Sequence, residues 1–327
     1  MADGSSLMEC GLLVGDGPFR QLTVPEAEVY RGPGFLWLHL HGRDEDDITV
    51  LKRQDHIPDV AAHALLATET RPRCDRIDFG AIVNLRGPGE LDPDDSDRLV
   101  SIRLWVHENR VTSVSRRRMN ATKVVMGQAR AGKITDPGDL VSAYARAISL
   151  ELDPQVAALG DSLDDVESGL EDLKSIYRYR TSITKVRSEA IAFRRFVAPD
   201  RDALLTLADY DFEWLSQDDR LHIREAADKF ARMAEELEAV RERAGLLHEQ
   251  ITDLRAEQLD QRGLEISVIA FIFLPLTFIT GLLGMNVEGI PFAKEPWAFW
   301  GVVAICIVIG AAVAIYFLWR HWLRDPN

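Results

Sequence analysis

Cysteine is scarce in this 327-residue chain. It has three, Cys10, Cys74 and Cys306, with no Cys-x-x-Cys pair and no even-numbered set. That excludes a disulfide scaffold and fits a reducing compartment. No glycine-rich phosphate loop ending in Lys-Ser or Lys-Thr occurs, so ATP hydrolysis through that motif is not the chain's energy source. No nucleophile–base pair or metal triad can be named, which leaves an enzyme without a site. Positive charge is also short: 38 Lys and Arg stand against 52 Asp and Glu, a formal net charge of −14. Nucleic acid calls for a basic surface and is excluded as a partner, whereas the acidic balance suits either an ordinary cytosolic domain or a protein whose clustered carboxylates handle cations. The N-terminus lacks a basic segment followed by an apolar one, so no signal peptide is expected and the long polar part is expected to stay in the cytosol.

What the chain does have is two uninterrupted apolar runs, both beyond about residue 263. Ile266 to Leu283 carries no charge and, with Leu264 and Glu265, reaches the roughly twenty residues that cross a bilayer. Trp297 to Trp319 is uncharged throughout. Trp297 and Trp300 mark one interface, and Tyr316, Trp319 and Trp322 the other, as aromatic belts do. Arg255 and Arg262 precede the first run and Arg320 and Arg324 follow the second, while the connecting loop has only Lys294. The positive-inside rule then places both termini in the cytoplasm and Asn286 outside. The expected divisions are 1–153, 154–262, 263–284, 285–296, 297–319 and 320–327: α/β domain, helical stalk, first span, outer loop, second span and tail. In the first span, Pro275 removes a backbone donor that neighbouring groups must replace. Thr277, Gly281 and Gly284 follow at helical spacing as a narrow, faintly polar stripe. It reads either as a packing face of small residues or as a pore lining. Two spans cannot enclose a water-filled path, so a pore requires a ring of chains.

The soluble part mixes strands with helices. Phe35 to Leu40 reads as a strand stopped by Gly42, followed by strands over 76–85, 98–106 and 110–115. Helical patterns cover Ile57 to Thr68 and Asp139 to Leu152. From about Pro154 the reading is almost all helix, with Pro199 expected to separate one helix from the next. Phe230, Met233, Leu237, Val240, Ala244, Leu247, Ile251 and Leu254 step by three and four as a heptad seam. No proline interrupts the run into the first span, and one helix from Asp218 to Leu283 would be about 100 Å long. Such a helix could carry a signal from a cytosolic domain to a membrane gate.

The first apolar run closes on Gly284-Met285-Asn286, and this tripeptide, with one more span after it, resembles the CorA superfamily of divalent-cation transporters. Glu69 to Cys74, Val100 to Trp105, Arg116 to Arg118, Arg194 to Pro199, Arg224 to Asp228 with Arg241 to Ala244, and Gly289-Ile290-Pro291 resemble its zinc-transporting, ZntB-like branch. Met285 is more like the magnesium branch. The resemblance implies a funnel-shaped homopentamer in a bacterial inner membrane. Each chain would contribute an α/β cytosolic domain, a long stalk helix and two C-terminal transmembrane helices, the first lining the pore. By position, Asn286 matches the family's asparagine at the outer mouth, with Gly284 and Met285 completing the motif. Thr277 matches a pore-facing threonine, and Leu274 an apolar constriction. Asp260 and Gly263 stand where the magnesium branch has asparagine and methionine, which makes the inner gate a point of departure.

A dedicated zinc site wants His or Cys ligands, and neither occurs in the first span or its loop. The donors there are oxygens: Asn286, the Thr277 and Thr280 hydroxyls, loop carbonyls and Glu288. A ring of amides from Asn286 suits a hydrated ion, so discrimination among Zn²⁺, Mg²⁺, Co²⁺ and Ni²⁺ is expected to be modest, with no permanently bound cofactor. Glu288 is either a concentrator of cations at the mouth or an ordinary solvated charge. Leu274 and Ile266 are candidates for a dewetting gate, with Gly281 on the same lining. Asp260 and Glu265 are candidate proton sites, because the resemblance implies proton-coupled Zn²⁺ uptake. Two alternatives stand beside it, a Mg²⁺/Co²⁺ channel and a membrane-tethered coiled-coil adaptor that moves no ion. Away from the membrane, His39 and His41 share one face of a strand, where packing is expected over metal binding, as it is for Cys74.

Overall fold

The computed structural model describes residues 9–13, 19–42, 45–68, 71–90, 99–169, 176–285, 292 and 295–322. The chain divides into two compact units, Met1–His248 and Glu249–Asn327.

The first unit holds a seven-stranded sheet. Its strands are β1 (Glu9–Leu13), β2 (Arg20–Leu22), β3 (Phe35–Leu40), β4 (Arg73–Ile77), β5 (Gly80–Pro88), β6 (Leu99–His107) and β7 (Arg110–Val114). They lie in the order β2-β1-β3-β7-β6-β5-β4. Only β3 and β7 pair in parallel, with Leu36 beside Arg110 and Leu40 beside Val114. Every residue of β3 is buried, because helices cover both faces of the sheet. On one face Leu36, Leu38 and Leu40 join Ile82, Trp105 and Val114 in a single cluster. Leu51 of α2 (Glu45–Lys52) and Ala61 and Leu65 of α3 (Asp59–Leu66) complete it. On the other, Trp37 meets Tyr144 of α5 (Pro137–Gly169) edge-on, ring centroids 6.1 Å apart. Gly42 ends β3 with φ +62°, and a Cβ there would stand 2.6 Å from a Val114 methyl, so both conformation and space call for glycine.

The strand expected over 76–85 is a hairpin. Asp78 adopts φ +52° and turns the chain between β4 and β5, which pair antiparallel from Ile77↔Gly80 onward. Asp tolerates this left-handed region better than most residues, and apolar alternation conceals so short a turn. Glu108, at φ +49°, makes the corresponding turn between β6 and β7. Strands β1 and β2 were not anticipated, nor was α1 (Val24–Val29), α2 or α4 (Asn120–Arg130).

The prolines expected to bound helices lie inside them. Pro154 falls within α5 and Pro199 within α6 (Ile176–Asp209), so the 153/154 boundary lies inside one helix. An internal proline costs about 3 kcal/mol. Leu152, Val156, Leu159 and Leu163 are buried around the first proline, and Val197, Ala203, Leu204 and Leu207 around the second. At roughly 1.5–3 kcal/mol for each large apolar side chain, that burial outweighs the lost hydrogen bond. The stretch expected as one helix between Pro154 and Pro199 belongs to two elements, α5 and α6, on either side of residues 170–175, which lie outside those described.

The seam residues of α7 (Gln217–Leu283) are buried within the single chain: Phe230, Leu237 and Ala244 are 0% exposed, Met233 1%, Val240 3% and Leu247 5%. Ion pairs from its flanks identify the neighbouring helices. Arg243 reaches Asp164 and Glu167 of α5, at 2.6 and 3.0 Å, and Glu238 receives Arg194 of α6 at 2.9 Å. The seam is therefore core of one chain, where the sequence had left a coiled coil between chains open.

The second unit contains the apolar end of α7 and α8 (Ala298–Trp322), the two helices long and apolar enough to cross a membrane. They meet through Phe271 and Phe317, ring centroids 6.0 Å apart, and where Gly310 lets the Leu276 side chain approach.

Candidate ion pathway

The apolar end of α7 has two distinct faces. Val268, Ile272, Pro275, Leu276, Ile279 and Leu283 are the partly covered residues of this stretch, and Leu276 is among those touching α8. At about 100° per residue, Gly263, Ile266, Leu274, Thr277, Gly281 and Gly284 fall within a sector of about 80° on the opposite side, and Asp260 lies about 40° beyond its edge. Every one of those residues is exposed in the single chain, Leu274 by 73% and Ile266 by 68%. Glu265 is exposed too, but its azimuth places it on the α8 side, outside the stripe.

Local chemistry explains how hydroxyls survive there. Thr277 Oγ1 donates to the Phe273 carbonyl at 2.8 Å, Thr280 Oγ1 to that of Leu276 at 2.9 Å, and Ser267 Oγ to that of Gly263 at 2.7 Å. Each proton is satisfied within the helix, and each oxygen keeps lone pairs for a cation or its water. Pro275 withholds its own bond one turn earlier. At the end of the helix Gly284 N–H bonds the Thr280 carbonyl at 2.9 Å, and Met285 is 52% exposed. Asn286 and Glu288 lie outside the described residues. Trp297, Trp300, Tyr316 and Trp319 are all at least half exposed, as interface aromatics are before a bilayer surrounds them.

Of the histidine pair, His39 on β3 is settled by its hydrogen bonds, and His41 lies just beyond the strand. Trp37 Nε1 donates to Ser113 Oγ at 2.8 Å, and Ser113 Oγ lies 2.8 Å from His39 Nδ1. The Ser115 hydroxyl lies 3.4 Å from Nε2. Both ring nitrogens are engaged, and burial drives the pKa down to about 3, a neutral core imidazole. Cys74 is buried with its thiol pushed up to about 12, again packing.

The sequence reading missed one acidic convergence. Oxygens of Asp136, Asp139 and Asp219 lie within 4.8 Å of one another. Its members cap helices. Asp136 Oδ1 accepts from the Asp139 N–H, Asp139 Oδ2 from Thr135, and Asp219 Oδ2 from the Ser216 N–H, while Ser216 Oγ receives the Asp219 N–H. Two helix N-termini bring the carboxylates together. Burial pushes Asp136 up to about 6 and raises Asp219. The Asp-x-x-Asp spacing was legible, but Asp219 joins it only through tertiary structure.

A sheet domain leading by helices to two C-terminal apolar helices, with a small-residue stripe on the free face of the first, defines a membrane protein of the two-span, stalked class. The chain belongs to the CorA family, whose model, described as CorA-like Mg²⁺ transporter protein, matches residues 32–321. It is 28% identical over 309 residues to the zinc transport protein ZntB of Pectobacterium carotovorum, covering 94% of each chain. To ZntB of Klebsiella pneumoniae it is 30% identical over 291 residues, 88% of each. Among solved structures, the full-length CmaX protein superposes with a TM-score of 0.79 at 29% identity, covering 98% of both chains. The CorA magnesium transporter of Methanocaldococcus jannaschii shares the fold, with a TM-score of 0.77 at 17% identity over 94% of this chain and 97% of that one.

Proposed function

We propose that this chain carries divalent metal cations across a bacterial inner membrane, with Zn²⁺ as the cargo and the proton gradient coupled to its entry. The observation that carries the reading is the end-to-end match to proteins named for zinc transport, 94% of both chains in the first case. The stripe through Leu274, Thr277 and Gly281, free of α8 and leading to Gly284-Met285-Asn286, supports it. Five such helices in a ring would turn that stripe inward as a pore lining, so the working assembly is a homopentamer. Its mouth is formed by Gly284, Met285, Asn286 and Glu288, with Asn286 holding the ion through its waters. Leu274 and Ile266 constrict the pore, and Asp260 and Gly263 lie at its inner end. Of the two candidate proton sites, Asp260 is nearer the stripe and Glu265 lies away from it. Both termini are cytoplasmic. The inside-negative potential draws cations inward by about 2.3 kcal/mol per charge per 100 mV, twice that for a divalent ion. The reading gives the chain no enzymatic step, and it keeps the sequence divisions as functional segments rather than breaks in secondary structure, since 153/154 falls inside α5. A Mg²⁺/Co²⁺ channel is the second reading, favoured by Met285 and by the family's description.

Flux into proteoliposomes tests both. Zn²⁺ entry that increases with acid outside, and falls at least about tenfold in Asn286→Ala, is expected. Entry that ignores the pH gradient and prefers Mg²⁺ would establish the channel reading instead.

A further inference from the structure

The sheet of the first unit buries a cationic cluster that the ion pathway does not use. Arg103 stands in β6, opposite Asn84 of β5 and Val114 of β7, and is 2% exposed. Its Nε and Nη1 are buried without a hydrogen-bond partner. The charges acting on it among the described residues are Arg116 and Arg86, both of its own sign. Burial first, and then these two, lower its pKa to about 10, so it remains a cation at neutral pH. Arg116 spends Nη2 on the Leu66 carbonyl at 2.8 Å, and its Nε is also buried and unpartnered. The Arg86 guanidinium lies over the Phe196 ring, 4.0 Å from its centroid, and the buried Asp200 carboxylate, whose Oδ1 accepts from the Arg86 N–H at 3.0 Å, acts on it electrostatically. Arg118 faces Glu90 at 3.9 Å, but the hydrogen bond of Arg116 goes to a neutral carbonyl.

We propose that Arg103, with Arg86 and Arg116, holds a small inorganic oxyanion of the phosphate or sulfate class inside the sheet domain. Like-charged guanidiniums repel one another; Asp200 stands by Arg86, but no opposite charge among the described residues acts on the buried Arg103, which is strongly unfavourable. A tetrahedral oxyanion supplies both the missing charge and acceptors for Nε and Nη donors, the geometry guanidinium recognises best. A water would satisfy donors and leave the charge uncompensated. A halide would bring charge with less directional acceptance. At 2% exposure Arg103 is shielded from bulk solvent, so the proposal is for the free ion rather than a larger ester. Bound there, it would tie β5 and β6 to the segment after β7 and, through Arg116, to the end of α3.

The experiment is equilibrium dialysis of radiolabelled inorganic phosphate against the full chain in detergent, at neutral pH and constant ionic strength. Saturable binding of one phosphate per chain is expected, displaced by sulfate at similar concentration and by chloride only at much higher. Losing a charged donor weakens such a contact by about tenfold or more. Arg103→Met should therefore abolish binding and Arg116→Gln weaken it, while Arg73→Gln, whose partner is the exposed Asp75, should leave it unchanged. If Arg103→Met does not fold, Arg103→Lys keeps the charge, removes the fork and should still bind markedly less. Three results would overturn the site: no saturable phosphate, which leaves the cluster to water and Asp200; phosphate retained by the Arg103 variants; or chloride as potent as phosphate.

Discussion

Truncating Leu237 to alanine separates two meanings of the α7 seam. Leu237 is 0% exposed, one helical turn from Met233 at 1% and Val240 at 3%, all within one chain. Removing a leucine from such a site costs about 3–5 kcal/mol, the transfer of the lost carbons plus the cavity they leave. For a unit of this size, Met1–His248, each kcal/mol moves the midpoint by about 2–4 °C, so Leu237→Ala should lower it by roughly 6–20 °C. Arg243→Ala is the matched control. Its pairs with Asp164 and Glu167 are largely exposed, and such pairs are worth at most about 1 kcal/mol. Differential scanning fluorimetry of the detergent-solubilised chain reads both variants, with light scattering reporting the assembly state. A Leu237→Ala midpoint no lower than that of Arg243→Ala would refute the intrachain packing. So would dissociation of the assembly with the midpoint unchanged.

The pore stripe predicts that Thr277→Val, which keeps shape and removes the free lone pairs, lowers cation flux several-fold while Thr277→Ser, which keeps the hydroxyl, does not, in the same proteoliposome assay. His39 binds its proton more weakly folded than unfolded, so its contribution is present above the ordinary imidazole value near 6.5 and is lost as pH falls toward about 3. His39→Gln should flatten that acid limb in chemical denaturation series. Asp136 behaves oppositely: its folded pKa is raised to about 6, so stability falls as pH rises from the ordinary value near 4 through 6. Asp136→Asn, which can still accept the Asp139 N–H, should stabilise the protein at pH 7.5 by about 1 kcal/mol after allowance for solvent screening. At pH 4 it should have little effect.

By itself the sequence determined what depends on local composition and period. Two uncharged apolar runs need no partner to be recognised, since the bilayer imposes the same length on every span. Phe35 to Leu40 and the 110–115 strand carried their turn signals beside them. The Gly284-Met285-Asn286 tripeptide drew attention to the loop, and the heptad seam marked the buried line of α7. Whatever depended on distant segments was decided only by the tertiary structure. Pro154 and Pro199 sit within helices because buried apolar neighbours outweigh a lost hydrogen bond, a balance that no local signal contains. The seam faces α5 and α6 because those helices fold back beside it, whereas its periodicity alone suits an outside partner equally. Asp219 meets Asp136 across a long stretch of chain, and Arg86, Arg103 and Arg116 converge only when β5, β6 and the end of β7 lie side by side. Electrostatic clusters are sums over neighbours in space, and the sequence orders those neighbours only along the chain.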